Sequence, residues 1–299
     1  MKSITEKILE LKAKRNAIIL VHNYQLPEVQ DIADFLGDSL DLSRKASQTN
    51  ADVIVFCGVH FMAETASILC PEKTVLLPEI KAGCPMADMI DVKKLNELKR
   101  KHPDAVVVCY INTSAEIKAE SDICCASSNA VNVVNSIKDK EIIFIPDQNL
   151  GKYIEKLTGK KMIFFGGYCP IHIKISAKDI LGSKKKYPNA EVLAHPECTE
   201  DVLNLADKIL STNGMVRYAK ESASKEMIIA TEQGIIYRLK KENPEKNFYP
   251  ATEKALCKNM KKISLEKILW ALEDMKYEIK VPPALQAKAI KSIEKMLKY

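Results

Sequence analysis

The sequence predicts an α/β protein of three pseudo-threefold-related domains, each a short parallel sheet covered by helices. Three observations carry that prediction. The first is a repeat: an offset of 173 residues carries His22 onto His195, Tyr24 onto Glu197, Asp34 onto Asp207, Ser39 onto Thr212, Pro71 onto Pro244 and Cys84 onto Cys257. A middle copy lies 88 residues after the first as far as Gly159 and 85 after it by Cys169, so one three-residue deletion aligns Tyr110, Asn112, Asp122, Ser127 and Cys169. This period is longer than a solenoid's, so each copy is a small domain. The second is the alternation of short apolar runs with segments of helical period, the pattern of parallel strands joined by crossover helices. The third is composition: 46% hydrophobic content over 299 residues is ample for buried cores.

The elements follow in order. Residues 5–14 read as an N-terminal helix that Arg15 and Asn16 end, and residues 17–21 as an apolar strand. Residues 29–36 and 40–47 read as helices, 53–56 as a strand, 62–69 as a helix and 75–77 as a strand leading to Cys84. The other copies open on strands 106–109 and 192–194 and continue with strands 142–145 and 227–229. Their linking helices end where Pro103 and Pro188 stop them. After Ile263, helices are expected around Trp270 and Ile290. The domains are therefore expected at 1–90, 91–175 and 176–263, with C-terminal helices over 264–299 packing on the core.

The charge balance, 45 Lys+Arg against 39 Asp+Glu, gives +6, too mild and dispersed for a nucleic-acid partner but compatible with an anionic small substrate. The runs Lys99 to Lys101 and Lys184 to Lys186 fall at helix ends and read as solvated faces. There is no apolar stretch of membrane-spanning length and no signal-peptide pattern, so a cytoplasmic protein without a membrane partner is expected.

Nine cysteines without a CxxC pair point to metal or catalytic thiols rather than a disulfide framework. Cys57, Cys70, Cys109 and Cys125 have no partner in register and read as small buried hydrophobes; Cys124 and Cys198 are left unassigned. Cys84, Cys169 and Cys257 share one repeat position and suggest a threefold site. The pairs His22/Tyr24, Tyr110/Asn112 and His195/Glu197 stand at i and i+2 just after the first strand of each copy, so each pair points from one face. That is the carboxyl end of the strands, where ligands bind in α/β units. Ser39, Ser127 and Thr212 each precede a helical segment and read as N-caps whose helices turn their N–H groups toward carboxylates or a phosphate.

Structural zinc normally takes four ligands, often in closely spaced pairs, which this chain lacks. An iron–sulfur cube takes up to four thiolates, and three leave one iron free to act as a Lewis acid. A three-cysteine zinc site and coincidence stand beside it as alternatives.

The segments from Val21 to Gln25, Gly37 to Ser39, Gly83 to Ala87, Tyr110 to Thr113, Cys169 to His172, His195 to Cys198 and Cys257 to Met260 resemble quinolinate synthase of the de novo NAD pathway, in order and over essentially the whole chain. The resemblance implies three α/β domains around a central 4Fe-4S cluster. It implies condensation of iminoaspartate with dihydroxyacetone phosphate, with loss of phosphate and water, and a functional link to the enzyme that supplies iminoaspartate. By it, Cys84, Cys169 and Cys257 hold the cluster. His22, Ser39, Tyr110, Ile111, Asn112, Ser127, His195, Pro196, Glu197 and Thr212 line the iminoaspartate pocket. Tyr24, His195 and Glu197 take catalytic roles: Tyr24 in positioning or proton transfer, Glu197 as general base if its surroundings raise its pKa.

Two rivals are excluded or separable. His195-Pro-Glu197 satisfies the H-x-E half of a zinc-dependent deaminase signature, but P-C-x-x-C is absent and Cys169-Pro170 runs in the reverse order. A non-catalytic sensor of an anionic metabolite would use the same pocket; turnover separates it.

Overall fold

The computed structural model describes residues 2–299. It is an α/β fold with three four-stranded parallel sheets flanked by helices, one per copy. The first sheet holds β1 (Ala17–His22), β2 (Phe35–Gly37), β3 (Val53–Cys57) and β4 (Thr74–Leu76) in the order β2-β1-β3-β4. The second holds β5 (Val106–Tyr110), β6 (Ile123–Cys125), β7 (Ile142–Ile145) and β8 (Met162–Phe164), the third β9 (Glu191–Ala194), β10 (Lys208–Ile209), β11 (Glu226–Ala230) and β12 (Asn247–Pro250), in the same order. Every residue of β3 and β7 is buried, as expected of central strands covered on both faces.

One expectation is corrected in the first sheet, and the feature behind it recurs in the other two. Residues 29–36 are not one helix: the helix is only Pro27–Asp31, and residues 35–37 form the edge strand β2. An aspartate pins each such edge. Asp34 N–H donates to Ile19 O at 3.0 Å while its Oδ2 accepts from Ile19 N–H at 2.8 Å. Asp122 does the same to Val107, and Asp207 to Val192, each with a 2.8 Å carboxylate bond. Periodicity cannot reveal a strand so short; the repeated aspartate was its signal.

Helix starts repeat too. Ser3, Asp91, Ser176 and Ser264 cap the helices Ile4–Lys14, Val92–Lys101, Ala177–Lys186 and Leu265–Asp274, each side chain accepting from the N–H three residues on. The first three helices lead into the three sheets. The fourth begins 88 residues after the third, as a further copy would, and packs on the helix Ile4–Lys14.

The last helix, Pro283–Leu297, packs on β6 and on the helices Ala115–Ala119 and His60–Leu69. Ser292 Oγ donates to Lys118 O at 2.7 Å and Gln286 Nε2 donates to Ser67 O and Ile68 O at 3.1 Å. It buries Ile293 and Met296 completely, and truncating either to Ala would cost about 2–5 kcal/mol. This helix thus joins the first two copies rather than merely covering them.

The six out-of-register cysteines are buried. Cys124 Sγ donates to Ser292 Oγ at 3.4 Å and Cys198 Sγ to Ala230 O at 3.4 Å, so the two unassigned thiols are packing groups with local partners. No helix among the described residues is long and apolar enough to cross a membrane.

Candidate metal and substrate site

The order 2-1-3-4 places a topological switch point beside the first strand of each sheet, and a parallel sheet binds ligands beyond that point. Residues at the carboxyl ends of β1, β5 and β9, together with those following β3, β7 and β11, surround this level of the fold. One cavity of about 240 Å³ lies there. It is lined by Cys84, Cys169 and Cys257, by His22, Tyr24, Tyr110, Asn112, His195 and Glu197, and by Ser39, Ser127 and Thr212. Of the residues expected from the sequence, Ile111 and Pro196 are buried without lining it.

Each lining cysteine begins the same short turn. The N–H groups of Met86 and Ala87 hydrogen-bond Cys84 Sγ, those of Ile171 and His172 reach Cys169, and those of Asn259 and Met260 reach Cys257. Each cysteine carbonyl accepts in turn from the N–H four residues on, at Asp88, Ile173 and Lys261. Burial pushes all three thiols up, Cys84 to about 12, while these N–H groups pull the other way. Amides that favour a thiolate over a thiol suit sulfurs that ligate metal.

The two histidines repeat one device. His22 Nδ1 accepts from Tyr24 N–H at 3.2 Å and His195 Nδ1 from Glu197 N–H at 3.3 Å, which leaves the proton on Nε2 as a donor. Burial, helped by Lys261 and His195, lowers His22 to about 3, and burial lowers His195 to about 3, so both rings are neutral at pH 7.

Glu197 departs from the expectation that its surroundings raise its pKa. Burial does push it up, but His172, His195 and the Tyr110 hydroxyl outweigh burial and hold it at about 2. Its Oε2 lies 2.7 Å from His172 Nδ1, close enough for an ion pair although outside hydrogen-bond alignment. His172 Nε2 is 2.8 Å from Thr231 Oγ1, which is 2.5 Å from the Tyr24 hydroxyl. A buried chain Glu197, His172, Thr231, Tyr24 therefore connects two of the three residues given catalytic roles. Asn112 Oδ1 has no protein partner, as suits a group that meets a ligand.

The expected N-caps are also corrected. Asp38, not Ser39, caps the helix Ser39–Gln48, its Oδ1 accepting from Leu40 and Asp41 N–H at 3.0 Å. Ser211, not Thr212, caps Thr212–Glu221, and Asn129 stands at the start of Ala130–Ser136, two residues beyond Ser127. Ser39 and Thr212 occupy the first helical position. Stronger acceptors just upstream take the capping duty and release the Ser39 hydroxyl toward the cavity, whereas Thr212 Oγ1 accepts from Asn23 Nδ2 at 3.1 Å.

Four functional residues escaped the sequence reading. His172 stacks on His195 with centroids 4.7 Å apart, but Ala87 and Met260 hold its register position, so the repeat concealed it. Thr231 was hidden likewise, since Gly58 and Pro146 are its counterparts. Asp147 and Glu232 share a register and both are buried, a signal the sequence offered. Burial and nearby Glu197 push Asp147 up, against its three N–H donors.

Fold and cavity together define a class: a small-molecule enzyme with its pocket at three switch points and metal-binding groups in the wall, for Cys169, His172 and Glu197 place ligand atoms within 4.8 Å of one another. The sequence matches the quinolinate synthetase A protein family over residues 6–298. It is 56% identical to the quinolinate synthase of Methanosarcina barkeri, with 98% of this chain and 97% of that protein covered. Identity to the quinolinate synthase of Dehalococcoides mccartyi is 56%, over 99% of this chain and 98% of that one. For that of Thermodesulfovibrio yellowstonii it is 54%, over 98% and 97%. The chain belongs to the quinolinate synthase family, enzymes of NAD biosynthesis.

Proposed function

We propose that the chain condenses iminoaspartate with dihydroxyacetone phosphate to quinolinate, with loss of phosphate and water, and that Cys84, Cys169 and Cys257 hold a 4Fe-4S cluster. The observation that carries this reading is the convergence of three register-equivalent thiols, each in the same N–H-rich turn, on one cavity. A single zinc ion keeps its thiolates within roughly 3.8 Å of one another at Zn–S of about 2.3 Å. The three sulfurs do not gather within 4.8 Å, so as they stand they do not close on a single zinc ion. When bound, the cluster would supply a Lewis acid at the iron that lacks a protein thiolate.

The chain's own residues do the rest. The Nε2–H groups of His22 and His195, with the Ser39 and Ser127 hydroxyls, bind and orient the carboxylates of iminoaspartate. Lys174 and Lys258 in the cavity wall favour the phosphate of the second substrate. Glu197, ionised at pH 7, sets a fixed negative charge in the cavity; its low pKa makes it an orienting and charge-stabilising group rather than the general base expected from the sequence. The hydrogen bonds from His172 Nε2 through Thr231 to the Tyr24 hydroxyl let a proton pass between those groups. The protein works on small molecules in the cytoplasm, functionally linked to an enzyme that delivers iminoaspartate.

Anaerobic purification with iron and sulfide counts, followed by assay of quinolinate from iminoaspartate and dihydroxyacetone phosphate, tests the reading. Four irons per chain and turnover are expected. Stoichiometric zinc without iron, or iron-loaded protein that makes no quinolinate, overturns it.

A further inference from the structure

The three cysteine turns are alike in themselves but not in what holds them. In the second copy, both oxygens of the buried Asp147 are used: Oδ1 accepts from Asn149 and Leu150 N–H at 2.8 and 2.9 Å, and Oδ2 from Cys169 N–H at 3.2 Å. In the third, buried Glu232 occupies the same register: Oε2 accepts from Gly234 N–H at 2.7 Å and Oε1 from Cys257 N–H at 3.0 Å. Each carboxylate thus ties the segment after a central strand to the amide of a lining cysteine. The first copy has Val59 at this position, which offers Cys84 no such acceptor.

Lys261 extends the third arrangement. Its Nζ lies 3.0 and 3.2 Å from the two Glu232 oxygens and also donates to the carbonyl of Tyr24 in the first copy. Gly234 makes room, because a Cβ there would stand 2.8 Å from both Glu232 Oε2 and Tyr24 O.

Resting on the cluster reading above, we propose that Asp147 and Glu232 are positioning residues that hold the Cys169 and Cys257 arms of the cluster site, leaving Cys84 as the arm without a carboxylate clamp. A clamp needs two acceptor oxygens, since the two N–H groups it joins come from different segments. An amide offers one oxygen, and its NH₂ group would face an N–H. Asp147→Asn and Glu232→Gln therefore open one clamp each while preserving side-chain shape.

The test divides anaerobically purified protein into two samples: one meets iodoacetamide without chelator, and early labelling of each cysteine, before iron is lost, is followed by peptide mass spectrometry; the other meets an iron(II) chelator without iodoacetamide. Asp147→Asn should speed labelling of Cys169 about tenfold, the low end for loss of a group supporting a metal ligand, and leave Cys84 and Cys257 within about twofold. Glu232→Gln should do the same to Cys257 alone. Asp91→Asn, which caps the helix after the Cys84 turn, is the control and should change none. Iron release to the chelator should quicken in both clamp variants. Labelling that rises at all three cysteines together, or at neither targeted one, overturns the proposal. Protein that carries no iron removes the cluster reading instead, and the labelling pattern still judges the clamps.

Discussion

Replacing Glu197 by Gln tests the chemistry most directly. The carboxylate is buried, lies 2.7 Å from His172 Nδ1 and 3.7 Å from His195 Nδ1, and is met by the Tyr110 hydroxyl. Gln keeps the shape and one acceptor but not the charge. Exchanging a charge-assisted contact for a neutral one costs about 1 kcal/mol of stability, a Tm change of about 1.5–2 °C in a chain of this size. Losing a fixed charge placed for the transition state costs about 10²–10³ in turnover, or about 2.7–4 kcal/mol of barrier. Kinetic loss should therefore exceed folding loss clearly. Thr231→Val supplies the second arm: it leaves Glu197 intact but breaks the link between His172 and the Tyr24 hydroxyl. If the chain carries the proton, turnover falls about 10²-fold there too. The assay is anaerobic steady-state quinolinate formation at matched iron content. Full activity in Glu197→Gln removes the carboxylate from the mechanism, and full activity in Thr231→Val removes the relay.

Cys84→Ser, Cys169→Ser and Cys257→Ser should each abolish iron binding, whereas Cys57→Ser and Cys70→Ser should leave the iron count nearly unchanged; an iron-replete Cys84, Cys169 or Cys257 variant contradicts the ligand assignment. Asp38→Ala should lower stability by about 1 kcal/mol, the scale of a lost N-cap, while Ser39→Ala should leave the urea midpoint almost unmoved yet weaken use of iminoaspartate. Equal stability losses would return Ser39 to a capping role. Between pH 6.5 and about 3 the unfolded chain protonates His22 and His195 while the folded protein keeps them neutral, so stability is full above pH 6.5 and falls as pH drops. Asp38, raised to about 6 by burial, opposes this between pH 6 and 3.8. Urea midpoints of the metal-free protein should therefore drop less steeply with acid in His22→Asn than in the parent, and parallel slopes would exclude the histidine.

Much of this arrangement is legible in the sequence. The repeat fixed three sheets and brought Cys84, Cys169 and Cys257 to one level, because equal offsets in homologous folds return side chains to equal places. It failed where copies differ. His172 stands opposite Ala87 and Met260, and Thr231 opposite Gly58 and Pro146, so matching positions discarded the residues that make the site asymmetric. The edge strands were missed because β10 has two residues and β2 and β6 three, too few for any period to show. Helix starts slipped by one where Asp38 and Ser211, better acceptors than they looked, took the cap. The environment of Glu197 was only partly legible, since beside the neighbouring His195 its low pKa comes from His172 and Tyr110, 25 and 87 residues away in the chain.

A frame repeated three times about one pocket poses a problem of seating. Three sheets of one strand order bring register-equivalent residues to one cavity, so a bound molecule meets three stations of like backbone. Only the furnishings tell them apart: at the station where one copy shows Tyr24, the next shows Asn112 and the last Glu197. If the cavity holds substrate as proposed, those unlike residues act as a key that admits one orientation and spoils the other two. Making the stations alike, for instance by Glu197→Asn, would allow the same molecule to lodge in unproductive turns and to block its own conversion.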